Sequence, residues 1–289
     1  MTTTTATHRG YWYRHPNLRL AGLLSAPMAW LVVVYLGSLA ALFLTAFWTV
    51  DDFTGQLVRT FTLENFQQVF TTQAYLSTVA RTVGIALLVT LLCLIIALPL
   101  SFFMARVASA RWQPLLIAMV LTPLWASYLV KVYAWRAMLQ PESGVLAWMV
   151  GPLGLDSPGY GFFGIVITLT YLWLPYMILP VYAGFTRLPN SMLDASSDLG
   201  AKGWRTFRSV IIPMIFPSVV AGSIFTFSLS LGDYITAQIG GGKLQMLGNV
   251  VQQTYVSNLP FAAAVATIPV VIVLVYLAAV RRSGALENL

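Results

Sequence analysis

Uncharged hydrophobic stretches alternate with short polar segments along most of the chain. A helix needs about 20 apolar residues to cross the roughly 30 Å hydrocarbon core of a bilayer. Windows of about this length or longer lie between Arg19 and Asp51, Arg81 and Arg106, Arg111 and Lys131, Asp156 and Arg187, Arg208 and Asp233, and Lys243 and Arg281. The pattern therefore predicts an all-α membrane protein with six transmembrane helices.

The composition points the same way, since 58% of the residues are hydrophobic and only 9% are charged. These values exclude a water-soluble globular domain. The formal net charge of +7 is expected to reflect membrane topology and contact with anionic lipid rather than binding to nucleic acid.

The basic residues predict the orientation, because cytoplasmic loops of membrane proteins carry an excess of Lys and Arg. A cytoplasmic N-terminus leaves only Arg59, Arg81, Lys131, Arg136 and Lys243 outside. It places inside a larger set, namely Arg9, Arg14, Arg19, Arg106, Arg111, Arg187, Lys202, Arg205, Arg208, Arg281 and Arg282. We therefore predict a cytoplasmic tail over residues 1–20 and a transmembrane domain over residues 21–289.

Residue types that carry catalysis or bind metals are scarce. His8 and His15 both lie in the N-terminal tail, and Cys93 lies in the middle of the second predicted span. No paired carboxylates at a recognisable spacing accompany them, so we expect no catalytic site, metal site or cofactor in this chain. The run Gly240–Lys243 is not a phosphate loop, because Leu244 stands where a Ser or Thr is required.

One long polar interruption runs from Leu188 to Pro217. Its basic residues cannot lie within a span, since a charge at a helix centre costs about 2.5 to 3.5 kcal/mol on insertion scales. The segment predicts a short helix that Asn190 or Ser191 caps, that carries Asp194 in its first turn, and that ends at Gly200. This helix could dock on another protein, or the segment could be a solvated loop between spans.

The interruption resembles the EAA motif of ABC-importer permease subunits. The matching residues are Asp194, Ala195, Ser196, Gly200, Ala201, Phe207, Val210, Pro213 and Pro217, with Asp194 in place of the usual Glu and Ser196 in place of the second Ala. In that family the motif forms a coupling helix, here at about 190–200, that sits in a groove of the ATPase subunit. The resemblance implies that ATPase docking involves Ser191, Met192, Asp194, Ala195, Ser196, Asp198, Leu199, Gly200 and Ala201.

Two further regions carry polar or aromatic residues beside the predicted spans. The segment from Asp51 to Ser77 is predicted to be an external amphipathic segment. The third span, in which Pro123 can introduce a kink, ends in an aromatic and basic stretch from Thr122 to Arg136. That stretch either forms an interfacial aromatic belt or lines a translocation path. Asp233 is either a charge at the end of the fifth span or a group that attracts a cationic substrate.

A wider resemblance covers about Ser77 to Arg281. The stretches Ser127–Trp135, Tyr171–Pro180 and Leu231–Thr236 are similar to the first permease subunit of spermidine/putrescine ABC importers, which have a MetI-like type I importer fold. The resemblance implies a polyamine cargo, while relatives with the same scaffold move opines, aminophosphonates or ferric ions. As the candidate substrate path we take Asp233, Tyr234, Tyr128 and Trp135.

The same resemblance implies the partners and the location of the chain. A second, different permease subunit would pair with it in the bacterial inner membrane. Two cytosolic ATPase subunits would bind ATP and Mg, and an external binding protein would deliver the substrate. A secondary transporter is the alternative class, but neither repeat symmetry nor charged residues at mid-span are present to indicate one.

Overall fold

The computed structural model describes residues 16–51, 54–154 and 156–282. Five helices in this part are long and apolar enough to cross a membrane, namely Gly22–Thr45, Gln73–Val107, Phe162–Thr186, Gly203–Leu231 and Leu259–Arg281. A sixth span is possible if two shorter helices, which meet at an angle of 93°, are taken as one broken span. The predicted all-α membrane fold is confirmed, but one of its six spans is not a continuous helix.

The chain begins with α1 (Pro16–Trp30), which continues through a π-helical turn (Leu31–Leu36) into α2 (Gly37–Thr45). Residues 16–20, predicted to belong to the tail, are therefore already helical, and residues 1–15, with His8 and His15, lie outside the described residues. No residue of the hydrophobic window in Gly22–Thr45 is buried within the chain. This helix exposes apolar side chains on all sides, as expected of a helix surrounded by lipid or by a partner subunit.

A small folded unit follows. Strands β1 (Thr49–Val50) and β2 (Leu57–Val58) pair antiparallel, and α3 (Glu64–Thr71) follows them. The buried amide of Asn65 donates hydrogen bonds to the carbonyl oxygens of Ala46 at 3.0 Å and Trp48 at 2.8 Å. The segment predicted to be amphipathic thus contains an anchored helix, and the next span starts at Gln73, earlier than the predicted Ser77.

The core of the bundle consists of three long helices. These are α4 (Gln73–Phe102), which ends in a second π-helical turn (Phe103–Val107), α8 (Phe162–Thr186) and α11 (Ile212–Leu231). Fully buried apolar residues such as Ile165, Leu169, Val181 and Phe185 lie along α8. Cys93 is buried among them, and its thiol donates to the carbonyl of Thr170 at 3.5 Å. The central helix α8 is therefore covered on most sides by protein.

The third predicted span is broken. Helix α5 (Gln113–Trp125) ends before Ala126, and α6 (Tyr128–Met138) leaves at 93°. Ala126 and Ser127 have extended ψ values of 141° and 139°, so the change of direction occurs there and not at Pro123, where a kink was predicted. The turn directs the start of α6 towards the core, where Tyr128 packs against the buried cluster.

The fifth span begins earlier than its prolines suggest. Helix α10 (Gly203–Thr206) continues through a third π-helical turn (Phe207–Ile211) into α11, so that Gly203–Leu231 forms one helical segment of 29 residues. The exposed residues Arg205 and Arg208 lie on its first turns. Such a segment is about 43 Å long at 1.5 Å per residue, which exceeds the bilayer core, and its basic start can therefore extend beyond the membrane.

The remaining helices connect or flank these spans. They are α7 (Val145–Val150), α9 (Asn190–Asp198), α12 (Ile235–Gly240), α13 (Leu247–Thr254) and α14 (Leu259–Arg282). Helix α9 precedes the start of Gly203–Leu231, and α12 follows its end. The segments that carry the two candidate sites therefore lie at opposite ends of one membrane helix.

Candidate functional site

The predicted docking helix is present as α9, but its N-terminus differs from the prediction. Pro189 occupies the N-cap position, and no side chain caps the helix. Asn190 is the first helical residue, and Asp194 lies beyond the first turn, which contains no acidic residue. The predicted C-terminal end is confirmed, because Gly200 adopts a left-handed conformation with φ of +74° directly after the helix.

An apolar face of α9 is exposed. Leu199 is 88% exposed and Met192 is 47% exposed. Both line a cavity of about 370 Å³ whose other lining residues are Ala195, Ser196, Ala201, Arg205, Ser209 and Val210. Five of the nine predicted docking residues thus share one surface, whereas Ser191, Asp194, Asp198 and Gly200 are exposed beside it.

Ser196, which replaces an alanine of the EAA consensus, has a structural role here. It is buried, with 9% of its surface exposed, and its hydroxyl shares a 2.9 Å hydrogen bond with the hydroxyl of Thr206. This bond joins α9 to α10, the start of the fifth span. The hydrogen bond therefore links α9 directly to the helix that leads across the membrane.

Sequence reasoning missed the part that Arg106 plays in this region. Its guanidinium donates to Asn190 Oδ1 and to the carbonyl of Phe185, both at 2.7 Å, and to the carbonyl of Leu188. Asn190, which lies inside the helix instead of at its cap, therefore uses its side-chain oxygen to accept from Arg106. In the sequence Arg106 contributes only to the prediction of membrane orientation. Its hydrogen-bond partners Phe185, Leu188 and Asn190 lie 79 to 84 positions later in the chain.

A second candidate site surrounds Asp233, at the other end of Gly203–Leu231. Asp233 is only 7% exposed, although it follows a span directly. Its carboxylate accepts hydrogen bonds from the hydroxyl of Tyr128 and from the backbone N–H of Thr236 at 2.8 Å. The Tyr128 hydroxyl also contacts Thr236 Oγ1 at 2.9 Å. These contacts fix the acid in one position.

This carboxylate borders a cavity of about 290 Å³. The lining residues are Tyr128, Trp173, Ser228, Leu229, Gly232, Asp233, Tyr234 and Ile235. The ring of Trp173 stacks on Tyr128, with centroids 6.1 Å apart and planes inclined by 22°. Trp173 Nε1 and Ser228 Oγ are buried and make no hydrogen bond within the described part of the chain. The cavity thus combines one acid, aromatic faces and polar atoms that lack partners.

The electrostatics of the cavity centre on Asp233, which lies two residues beyond the end of α11. Burial raises the pKa of its carboxyl above the ordinary value, whereas the hydrogen bonds from Tyr128 and Thr236 oppose that rise. Asp233 is acidic, and none of the other residues that line the cavity carries a basic group. The arrangement therefore favours a positively charged ligand over an anion.

Of the four residues proposed for the path, the structure brings three together. Asp233, Tyr128 and Tyr234 line the same cavity, and Tyr234 is 37% exposed. Trp135 lies elsewhere, against Tyr171 with ring centroids 5.3 Å apart, and it lines a separate apolar cavity. Trp135 does not line the cavity that contains Asp233, because it projects from a later turn of α6 than Tyr128 does.

Trp173 and Ser228 were not predicted for the site. Trp173 belongs to the stretch Tyr171–Pro180, which carried part of the family resemblance, and Ser228 lies one turn before Gly232 on α11. A tryptophan within an apolar span has no sequence signal that separates a cavity lining from core packing. Its position became evident only from the packing of α8 against α6.

No group of three or more His, Cys, Asp or Glu side chains suited to a metal ion occurs within residues 16–51, 54–154 and 156–282. The polar chemistry of the described chain is instead concentrated at Asp233, at Arg106 and along α9.

Comparisons with known proteins give the family. Residues 97–282 match the family described as "Binding-protein-dependent transport system inner membrane component". The inner membrane ABC transporter permease protein YdcU of Escherichia coli K12 is 40% identical, over 97% of this chain and 94% of the relative. The spermidine/putrescine transport system permease protein PotB of Haemophilus influenzae is 31% identical, over 71% and 73%.

Solved structures agree on the fold. A chain of a bacterial alginate ABC transporter in complex with its alginate-bound periplasmic protein superposes with a TM-score of 0.68 at 13% identity, over 92% of this chain and 94% of the other. A chain of the methionine ABC transporter MetNI in an inward-facing conformation gives 0.55 at 17% identity, over 73% and 97%. The chain belongs to the family of binding-protein-dependent transport system inner membrane components and is a multi-pass permease subunit of an ABC importer in the inner membrane.

Proposed function

We propose that this permease subunit moves a polyamine such as spermidine or putrescine, and that Asp233, Tyr128 and Tyr234 line its path. The observation that carries the proposal is the buried Asp233 carboxylate, which Tyr128 holds at the edge of a cavity that Trp173 also lines. Support also comes from the relatives named as spermidine/putrescine permeases, which are 29 to 31% identical to this chain.

The chemistry of an ammonium group fits this cavity. A carboxylate attracts the charge, and aromatic faces attract cations within about 6 Å of a ring centroid, most strongly when water is excluded. Tyr128 and Trp173 offer two such rings beside Asp233. A bound ammonium group would also favour the charged form of Asp233 and so offset the effect of burial on the pKa of this carboxyl.

The methylene chain of a polyamine also has a candidate surface. A cavity of about 490 Å³ adjoins the first one and shares Gly232 and Tyr234 with it. Its other lining residues are Leu231, Gly248, Val251, Gln252, Tyr255, Val256, Ala266 and Pro269, most of which are apolar. An acidic, aromatic surface thus lies beside an apolar one, as ammonium groups lie beside methylene chains in the cargo.

The cargo alternatives differ in charge. Opines and aminophosphonates carry acidic groups, which the uncompensated carboxylate of Asp233 would repel. A ferric ion would be expected to require several carboxylate or other oxygen ligands, and the first cavity offers one carboxylate. These contrasts favour an organic cation.

At the other end of the membrane, we propose that α9 docks on an ATPase subunit. The exposed side chains of Leu199 and Met192 offer an apolar contact, and Ser191, Asp194, Asp198, Gly200 and Ala201 surround it. Two ATPase subunits would bind ATP and Mg, while an external binding protein delivers the cargo. A second permease subunit would complete the path, and the unburied helix Gly22–Thr45 is a surface that it could cover.

ATPase activity of the reconstituted assembly, with its binding protein, tests the cargo. Spermidine, putrescine, an opine, an aminophosphonate and ferric ion are added separately. We expect stimulation by a polyamine and by none of the others. Stimulation by another ligand alone would overturn the polyamine proposal while leaving the docking role of α9 open to its own test.

A further inference from the structure

We infer that Arg106 is a positioning residue that makes the end of α4, the end of α8 and the docking helix α9 move as one unit. The inference rests on the proposed docking role of α9. It concerns how force from the ATPase enters the bundle, not which cargo is moved.

The contacts of the Arg106 guanidinium join three elements. Arg106 itself belongs to the π-helical turn Phe103–Val107 at the end of α4. Its donors reach the carbonyls of Phe185, in the last turn of α8, and Leu188, in the following loop. A further donor reaches Asn190, the first residue of α9, at 2.7 Å. One side chain therefore holds both sides of the junction between α8 and α9.

These partners suit an arginine. The last carbonyls of a helix have no partner within the helix, and the C-terminal end of its dipole attracts a cation. The guanidinium presents five donors in a rigid planar fork, so it can reach several acceptors at once. A lysine at this position would keep the charge but could not reproduce the fork.

The backbone around Arg106 is also unusual. The N–H of Ala108 donates to the carbonyl of Phe103, five residues earlier, at 2.9 Å, which is the π-helical pattern. The third π-helical turn, Phe207–Ile211, lies near the start of the fifth span. Single π-helical turns inside α-helices are rare and occur frequently at functional sites. Phe103–Val107 contacts the docking segment through Arg106, and Phe207–Ile211 follows that segment in the chain, whereas the turn Leu31–Leu36 lies in the first span.

An apolar cavity separates parts of these two helices. Its volume is about 330 Å³, and it is lined by Leu98, Pro99, Phe102, Gly203, Phe207 and Ile211. Packing between α4 and the start of the fifth span is therefore incomplete at this end. The hydrogen bonds of Arg106 therefore supply a direct connection from the end of α4 to α9 beside this incompletely packed contact.

The test uses the complete assembly reconstituted in vesicles and measures cargo imported per ATP hydrolysed. The cargo is whichever ligand stimulates the ATPase activity. In R106Q we expect this ratio to fall about tenfold. Losing a hydrogen bond from a charged group weakens the contact that it makes by a factor of about ten or more. R106K should fall less, by about threefold, since it retains the charge. R111Q is the matched control, because Arg111 is exposed in the loop that follows this π-helical turn and should leave the ratio unchanged.

A distance measurement separates positioning from general stability. Spin labels are attached at the exposed positions Ser109 and Asp194 in a C93A background, which removes the single cysteine. We expect R106Q to broaden the distance distribution between the labels, while R111Q keeps the distribution of the parent. This readout requires neither cargo nor ATPase, so it remains valid if the proposed function fails.

A wild-type import ratio together with an unchanged distance distribution in R106Q would overturn the inference. If the R106Q variant does not assemble, the R106K variant is tested in its place. A wild-type ratio of cargo imported to ATP hydrolysed in R106K would also overturn the inference. Failure of the docking proposal looks different, because the ATPase subunits would then remain bound after the exposed face of α9 is disrupted.

Discussion

The hydroxyl of Tyr128 donates a hydrogen bond to the carboxylate of Asp233, a residue 105 positions later in the chain. The contact depends on the break between α5 and α6, because the 93° change of direction sets the course of the helix that Tyr128 begins. Thr236 completes the arrangement from the first turn of α12. Two segments far apart in sequence, one with Tyr128 and one with Asp233 and Thr236, therefore meet at one acidic, aromatic cavity.

Replacing Asp233 with Asn should reduce uptake of a cationic cargo by about tenfold or more. The substitution removes the charge but keeps the shape, and a hydrogen bond or ion contact to a charged group is worth about 1.5 to 3 kcal/mol. Uptake of labelled cargo by vesicles that contain the full assembly measures the effect.

Asp156 provides the matched control, since it is an exposed acid that does not line this cavity. D156N should transport at the rate of the parent protein. Equal uptake by the D233N variant and the parent would remove Asp233 from the path.

The two tryptophans that sequence reasoning could not separate should behave differently. W173L removes an aromatic face from the Asp233 cavity. It should raise the cargo concentration for half-maximal stimulation of the ATPase activity by about three- to tenfold, in line with about 0.5 to 2 kcal/mol for a cation–π contact. W135L alters a different cavity and should leave the cargo concentration for half-maximal stimulation unchanged. Equal effects in both variants would argue against the cavity as the cargo site.

The exposed face of α9 should be required for ATPase binding. Leu199 is 88% exposed, and L199D places a charge where we expect an apolar contact. Much less ATPase subunit should then co-purify with the permease. W148D is the control, since Trp148 is 79% exposed on α7 and lines none of the cavities described above. Retention of the ATPase by L199D would contradict the docking role of α9.

Close contact between α8 and α11 should make Gly222 sensitive to substitution. A Cβ atom there would lie 2.7 Å from Met177 Sδ, 3.2 Å from Met177 Cα and 3.3 Å from its carbonyl oxygen. We expect G222A to destabilise the protein by about 1 to 3 kcal/mol, as overpacking does. Thermal unfolding in detergent measures this loss.

Gly84 offers a comparison within α4, because a Cβ atom at that position would meet nothing within 4 Å. G84A should be neutral or slightly stabilising, since Ala is favoured over Gly within a helix by about 1 kcal/mol. A larger loss of stability in G84A than in G222A would contradict the packing described for α8 and α11.

Most of the fold could be predicted from hydrophobic windows, because a bilayer requires each of them to be helical. The break at Ala126 and Ser127 could not be predicted, since both residues are compatible with a helix and lie in an apolar window. The early start of the fifth span at Gly203 was missed for a related reason. Charges such as Arg205 limit where a helix enters the membrane but do not stop the helix itself.

The candidate sites show the same division. The C-terminal end of α9 followed from Gly200, a local signal, whereas the partner of the Asn190 side chain is Arg106, which lies 84 positions away. Likewise Asp233 stood out as an acid beside a span, but only tertiary packing distinguishes Trp173 from Trp135. Short segments of sequence determine local conformation, whereas the lining of a cavity depends on contacts between helices that are distant in the chain.

ATP-driven uptake of labelled spermidine and putrescine by vesicles that contain the complete assembly tests the central claim most directly. Our account predicts that at least one of these polyamines accumulates when ATP and the binding protein are present, and that D233N abolishes most of this accumulation. Accumulation of neither polyamine, in an assembly whose ATPase activity responds to a different ligand, would contradict it.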